Sequence, residues 1–237
     1  MCMNRNWPSL WVAALSTSAA LVCGLAEASS VAIVKDNTVV DNIPGLTNFA
    51  TLGSQMTGLS VTATFQGGFT QTLAWATTGA QSGAVVGTGW SLKLDGDTFT
   101  APWVFAFTGL AGALPQLAQL VMQGAPGLTV FDTSLPDTGT PGSSTGQDFA
   151  FFGATCAICD VRATYTRGVA VVPNTIVGDI FHTLTVDFGL SGPKTDFSFL
   201  QDTDNDSRFT VPEAGSLALS GLAMLVLLRA GARRAKG

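Results

Sequence analysis

The chain has few charged residues and few of the side chains that carry most enzyme chemistry. Charged residues make up 11% of its 237 residues, against roughly 25% in an average globular protein. One histidine and two glutamates leave little for acid–base catalysis, so we do not expect an enzyme. A net charge of −5 argues against nucleic-acid binding, which needs a basic patch. The hydrophobic content of 46% excludes a disordered chain.

Residues 1–28 have the order of a secretory signal peptide. Arg5 supplies the positive charge, and an uncharged apolar run follows over residues 10–25. Small residues before the expected cut predict cleavage between Ala28 and Ser29. Two alternatives stay open, an uncleaved membrane anchor and a lipoprotein signal.

Residues 211–237 form a second apolar segment with a basic end. It opens on Val211, Pro212 and Glu213, and residues 214–228 carry no charge. At about 1.5 Å per residue a helix of this length reaches roughly 22 Å, less than a hydrocarbon core of about 30 Å. Basic residues are expected on the cytoplasmic side, which places the middle of the chain outside. Four such residues close the chain: Arg229, Arg233, Arg234 and Lys236.

This order of motif, short apolar helix and basic end resembles the PEP-CTERM sorting signal of bacterial envelope proteins. Ala214 stands where that family usually has a second proline. The resemblance implies recognition by an exosortase, a membrane transpeptidase-like enzyme, and delivery to the cell surface, often in bacteria that make exopolysaccharide. Tails of this type are also classed as an ice-binding protein C-terminal motif. The resemblance is confined to the tail and implies nothing about the activity of the middle.

The middle of the chain, residues 29–210, has a composition typical of strands joined by turns. Its fourteen acidic residues are all aspartate, a turn former, and both glutamates lie in the two ends. The pair Asp95 and Gly96 is typical of a hairpin turn. Within residues 111–123 a short helix and a buried strand both remain open. Alternating or strand-like stretches predict strands at 61–65, 69–73, 90–94, 98–107, 161–165, 181–188 and 197–199. The sequence therefore predicts an all-β fold with a single β-sandwich or jelly-roll-like domain, between the signal peptide and a transmembrane sorting helix.

Two cysteines, Cys156 and Cys159, remain after removal of the signal peptide. In the oxidising cell envelope this spacing favours a structural disulfide that closes a tight loop. A zinc site would need two more ligands, and a redox motif would need a βαβ context. Redox or metal chemistry and free thiols stay open as alternatives.

Asp202, Asp204 and Asp206 occupy positions 1, 3 and 5 of a calcium-loop pattern, with Glu213 at position 12. Ser207 lies where the loop needs glycine and helices are not predicted on both sides, so an EF-hand is not expected. Three clustered carboxylates could still hold one Ca²⁺. We favour a solvated acidic linker between the domain and the membrane, and we predict no other cofactor.

Three tryptophans and the single histidine are the remaining candidates for binding or catalysis. Trp75, Trp90 and Trp103 could stack on a sugar if exposed, although core packing is the commoner use of tryptophan. His182 lies in a strand-like run with no catalytic set visible around it. We therefore expect a structural or solvent-facing role for this histidine.

Five Thr-x-Thr pairs lie in these strand-like stretches. Ranks of threonine on one flat face would favour ice binding, but the pairs are not periodically spaced along the chain, so we do not expect it. The pairs are Thr62/Thr64, Thr70/Thr72, Thr98/Thr100, Thr164/Thr166 and Thr183/Thr185.

Together these patterns predict an exported, non-enzymatic protein of the cell surface or extracellular matrix. The C-terminal helix would hold it transiently in the inner membrane until an exosortase-like enzyme processes it. Its expected partners are that enzyme and an extracellular polysaccharide or biofilm layer, and not nucleic acid. Two alternatives remain, a carbohydrate-binding module and a secreted hydrolase that uses aspartate carboxylates.

Overall fold

The computed structural model describes residues 31–47, 51–108, 115–134, 146–153, 160–171 and 178–208. The described residues form fifteen strands and three short 3₁₀ helices, at Gly53–Gln55, Ala125–Gly127 and Gly189–Ser191. The predicted all-β class is confirmed. The strands are β1 (Val31–Lys35), β2 (Val39–Ile43), β3 (Ser60–Phe65), β4 (Thr70–Ala74), β5 (Ala76–Thr77), β6 (Ser82–Val86), β7 (Trp90–Asp95), β8 (Trp103–Phe107), β9 (Leu117–Gln123), β10 (Thr129–Asp132), β11 (Ala150–Phe151), β12 (Val161–Val171), β13 (Ile180–Asp187), β14 (Phe197–Leu200) and β15 (Thr203–Asn205).

These strands form two sheets. The larger sheet has nine strands, six of them in the order β1-β12-β13-β9-β3-β4. In addition β2 pairs with β12, and β10 pairs with both β13 and β15. The smaller sheet has six strands in the order β11-β14-β8-β7-β6-β5. Among the pairs described, only β1 and β2 run parallel to their partner, β12, and the others are antiparallel.

Alternation along the chain places apolar side chains inside and short polar ones outside. In β3 the side chains of Val61, Ala63 and Phe65 are buried, whereas Thr62 and Thr64 between them are only partly covered. This period of two is the pattern of a sheet with one covered face. A strand is present in each stretch predicted from alternation, although β8 begins at Trp103 and not at residue 98, and β12 continues to Val171 and does not end at residue 165.

Two further expectations concern how strands connect. Leu120 lies in β9, so the buried-strand interpretation of this stretch is confirmed and the helix is wrong there. The predicted hairpin partners also pair, since Trp90 in β7 lies opposite Phe107 in β8. The connection is longer than a two-residue turn, because β8 begins only at Trp103.

One apolar cluster contains residues from both sheets, and it includes Trp75, Trp90 and Trp103. The rings of Trp75 and Trp103 are 5.1 Å apart, and Trp103 stacks on Phe199 at 5.9 Å. The indole N–H of Trp75 donates to the carbonyl oxygen of Gly53 at 2.7 Å. Ring pairs of this kind add to the stability that comes from burying their surface. Between the sheets, the rings of Phe65 in β3 and Phe107 in β8 lie 6.2 Å apart, so aromatic packing contributes to holding the two sheets together.

Candidate functional site

The pairing of β10 with β15 brings three carboxylates together. Asp132 ends β10, and its backbone N–H donates to the carbonyl oxygen of Asp202 at 3.1 Å. Asp204 lies in β15 opposite Val130 of β10. Oxygens of the three aspartates lie within 4.8 Å of one another. We call Asp132, Asp202 and Asp204 the acid cluster.

The acid cluster is enclosed by protein. Asp132 and Asp204 are fully buried, and Asp202 is 1% exposed. The hydroxyl of Thr98, from the connection between β7 and β8, donates to Asp202 Oδ1 at 2.9 Å. A side chain from the connection between two strands of the smaller sheet therefore contacts the cluster on one side. Carboxylates buried this deeply are costly unless they are protonated, hydrogen-bonded or bound to a cation.

Burial favours the protonated form of one member of the acid cluster, Asp202. Loss of water around Asp202, together with the negative charge of Asp204, raises the pKa of the Asp202 carboxyl to about 8. The hydrogen bond from Thr98 acts in the opposite direction and is the weaker effect. Asp202 therefore carries its proton at neutral pH. A protonated carboxyl can donate a hydrogen bond to a neighbouring carboxylate, which lowers the cost of burying both.

The donor set also has the chemistry of a calcium ligand group. Ca²⁺ takes carboxylate and carbonyl oxygens, and the acid cluster offers three carboxyl groups on adjacent backbone. A bound cation would require Asp202 to lose its proton, so cation and proton would compete for the same oxygens. Calcium binding here stays a prediction.

The structure divides the three aspartates that the sequence groups together. Asp206 does not join the acid cluster, because its Oδ2 accepts a hydrogen bond from Nε of Arg208 at 2.7 Å. Asp132 takes the third place instead, and the sequence offers no signal for it, since it is 70 residues distant from Asp202. The expected solvated linker is wrong, because residues 201–206 are buried and include a strand.

His182 lies inside the protein rather than at its surface. It is 3% exposed, and its Nε2 lies 3.1 Å from Oδ2 of Asp41 in β2. Nη2 of Arg208 lies 3.9 Å from the same oxygen. This fits the structural role expected from the sequence, because the contact ties β2 to β13.

The three candidate tryptophans are not available to a sugar. Trp75, Trp90 and Trp103 are each at most 1% exposed. Their indole N–H groups are used inside the protein, and that of Trp90 donates to Oε1 of Gln71 at 3.0 Å. Stacking on a sugar through these rings is therefore excluded, and their role is packing.

Several predicted features lie outside the described residues. These are the signal peptide with its cleavage site at Ala28 and Ser29, the cysteines Cys156 and Cys159, and the tail. The tail includes the sorting motif and the basic residues: Val211, Pro212, Glu213, Arg229, Arg233, Arg234 and Lys236. Within the described ranges, no helix has the length and hydropathy needed to span a membrane.

Comparison with known proteins identifies no relative. No protein-family model, curated protein or solved structure matches this chain. The functional conclusion therefore depends on the side chains described above and on the two ends of the chain.

Proposed function

We propose that this is an exported, non-enzymatic protein of the cell surface or extracellular matrix. Residues 29–210 form a single β-sandwich domain in this proposal, between a cleaved signal peptide and a sorting tail. The tail holds the protein in the inner membrane until an exosortase-like enzyme processes it. The domain then contributes to an exopolysaccharide or biofilm layer.

The observation that carries the proposal is the burial of the side chains that were candidates for chemistry. The acid cluster, His182 and the three tryptophans are all at most 3% exposed. A hydrolase must present its carboxylates to substrate, and a lectin that uses these tryptophans must present their rings. These residues are instead enclosed in the interior of the domain, which favours a structural role for it.

The secreted hydrolase remains the second reading, because two close carboxyl groups with unequal proton affinity are the chemistry of glycoside cleavage. Asp202, which lies beside Asp204, has the raised pKa that the acid of such a pair needs. Its burial argues against the reading, since no sugar could reach the oxygens without opening the pairing of β10 with β15.

The sorting tail provides the direct test. We expect the full chain, expressed in a bacterium that has an exosortase, to reach the surface or medium with a mass that shows loss of both ends. Removal of residues 211–237 should leave a folded domain that is no longer retained at the surface. Cell fractionation and mass spectrometry of the recovered protein give both results.

A motif variant and a matched control separate sorting from folding. Pro212→Ala with Glu213→Gln should accumulate unprocessed in the inner membrane. Lys93→Gln changes an exposed charge in β7 and should be processed like the parent chain. Unchanged surface retention of the truncated protein would refute the sorting role.

A further inference from the structure

A single row of β-branched side chains crosses six strands of the larger sheet. The pairing register places one residue from each of β1, β12, β13, β9, β3 and β4 at the same level. Valine and threonine have nearly the same shape, so their side chains reach similar heights above their own strands, and neighbouring strands are about 4.8 Å apart. In strand order the row is Val34, Thr164, Thr185, Val121, Thr62 and Thr72.

More threonines flank this row on both sides. Thr64 lies opposite Thr70, and Thr166 lies opposite Thr183. Each of these residues is two positions along its strand from the row. Residues two apart on a strand are about 6.8 Å from each other on the same face. The hydroxyl of Thr70 donates to that of Thr64 at 3.2 Å, which fixes their positions. Thr183 is only 8% exposed, so we call the row together with Thr64, Thr70 and Thr166 the threonine face.

The side chains around the threonine face exclude several kinds of partner. Among the described positions in the same alternation of β12, β13, β9, β3 and β4 the one aromatic residue is Phe181, which is fully buried, so a sugar has no exposed ring to stack on. These positions include one cation, Arg162, directly opposite one anion, Asp187. The patch is therefore neutral, and it offers no concentrated charge to an ionic polymer.

We infer that the threonine face binds a plane of ice. Threonine and valine are stiff at χ1, so their methyl groups and hydroxyls stay on a fixed grid. Such hydroxyls hold ordered water, and a repeating neutral grid suits a repeating neutral lattice of water. The pairs look irregular along the chain, but the sheet register aligns Thr62, Thr72, Thr164 and Thr185 at one level. This inference adds an activity to the proposed function and does not depend on how the chain is sorted.

The test measures incorporation of the purified full chain into slowly grown ice, together with inhibition of ice recrystallisation. We expect the parent protein to enter the ice and to inhibit recrystallisation. Thr185→Lys and Thr62→Lys, each from the central row, should reduce both to the level of an unrelated protein. Thr77→Lys is the matched control, because the exposed hydroxyls of Thr77 and Thr57 also pair, at 2.8 Å, and it should behave like the parent.

Thermal unfolding of each variant shows whether it is folded. If one lysine variant does not fold, Val121→Lys places the same charge at another position of the row. Exclusion of the parent protein from ice would overturn the inference without any variant. Equal activity of the folded lysine variants would also overturn it. The inference would also be overturned if the lysine substitutions abolished only self-association, or only binding to a neutral polysaccharide, and left both ice assays unchanged.

Discussion

The burial of Asp202 makes the stability of the folded protein depend on pH. Its carboxyl is enclosed beside Asp132 and Asp204, and its proton is retained to about pH 8. In the unfolded chain the same carboxyl loses its proton near pH 3.8. Between these values the folded state binds one more proton than the unfolded state, so stability falls as pH rises.

We expect the contribution of Asp202 to thermal stability to be greatest below about pH 4 and to decrease as the pH rises to about 8. Asp202→Asn removes the titration and keeps an oxygen that can accept the hydrogen bond from Thr98, so its melting temperature should change less over this window. Calorimetry at several pH values in the presence of a chelator measures the effect. Asp95→Asn, at an exposed carboxylate of β7, should retain the pH dependence of the parent. A parent protein equally stable at pH 5 and pH 8 would contradict the assignment.

The residues of the acid cluster could be predicted only in part. Asp202 and Asp204 stand out in the sequence because carboxylates alternate there within five residues. Asp132 could not be found, because its proximity depends on the pairing of β10 with β15. A turn-rich acidic stretch is normally solvated, so nothing local indicated that this one is buried.

Among the elements, β6 requires glycine at position 83. Gly83 packs against the indole of Trp75, and a Cβ on Gly83 would lie 2.1 Å from Trp75 Nε1. It would also lie 2.3 Å from the carbonyl oxygen of Gly53, to which that indole donates. Glycine is needed here because two backbones and a ring meet at one point.

Gly83→Ala should lower the free energy of unfolding by about 1–3 kcal/mol, since the added methyl forces the indole out of place. Gly45→Ala is the control, because its Cβ would meet nothing closer than 3.8 Å. Denaturant titration of both variants gives the comparison. Equal stability of the two would show that Trp75 moves aside without cost.

Alternation of apolar and polar residues in the sequence identified strands with one buried and one exposed face. It missed strands whose two faces are equally buried or equally exposed. Strands β3, β7, β12 and β13 were predicted because apolar and polar residues alternate in them. In contrast β10 is buried throughout and β1 is mostly exposed, so neither has a period of two over its length. The parallel pairing of β1 with β12 could not be predicted, because no local signal specifies a partner so distant.

On the scale of the whole molecule, both sheets share one apolar cluster. Leu120 and Val61 of the larger sheet lie in the same cluster as Trp90 and Phe105 of the smaller one. Neither sheet can separate without exposing aromatic surface to water, which is unfavourable in proportion to the area exposed. The domain should therefore lose both sheets together.

We expect chemical denaturation to give a single transition with the same midpoint by tryptophan fluorescence and by far-ultraviolet circular dichroism. The buried tryptophans report on the shared cluster, and circular dichroism reports on the strands of both sheets. Agreement of the two midpoints is the expected result. A fluorescence change that clearly precedes the loss of strand signal would show that the sheets unfold separately.

The position of β1 has a consequence for the order in which the chain can fold. Val31 of β1 pairs with Val161 of β12, about 130 residues later in the chain, and β2 also pairs with β12. During synthesis β1 and β2 therefore cannot form these pairs until β12 has been made. Long-range pairing of this kind is slow to form. This edge of the larger sheet is therefore among the last parts that can be completed, and its closure depends on a strand from the second half of the chain.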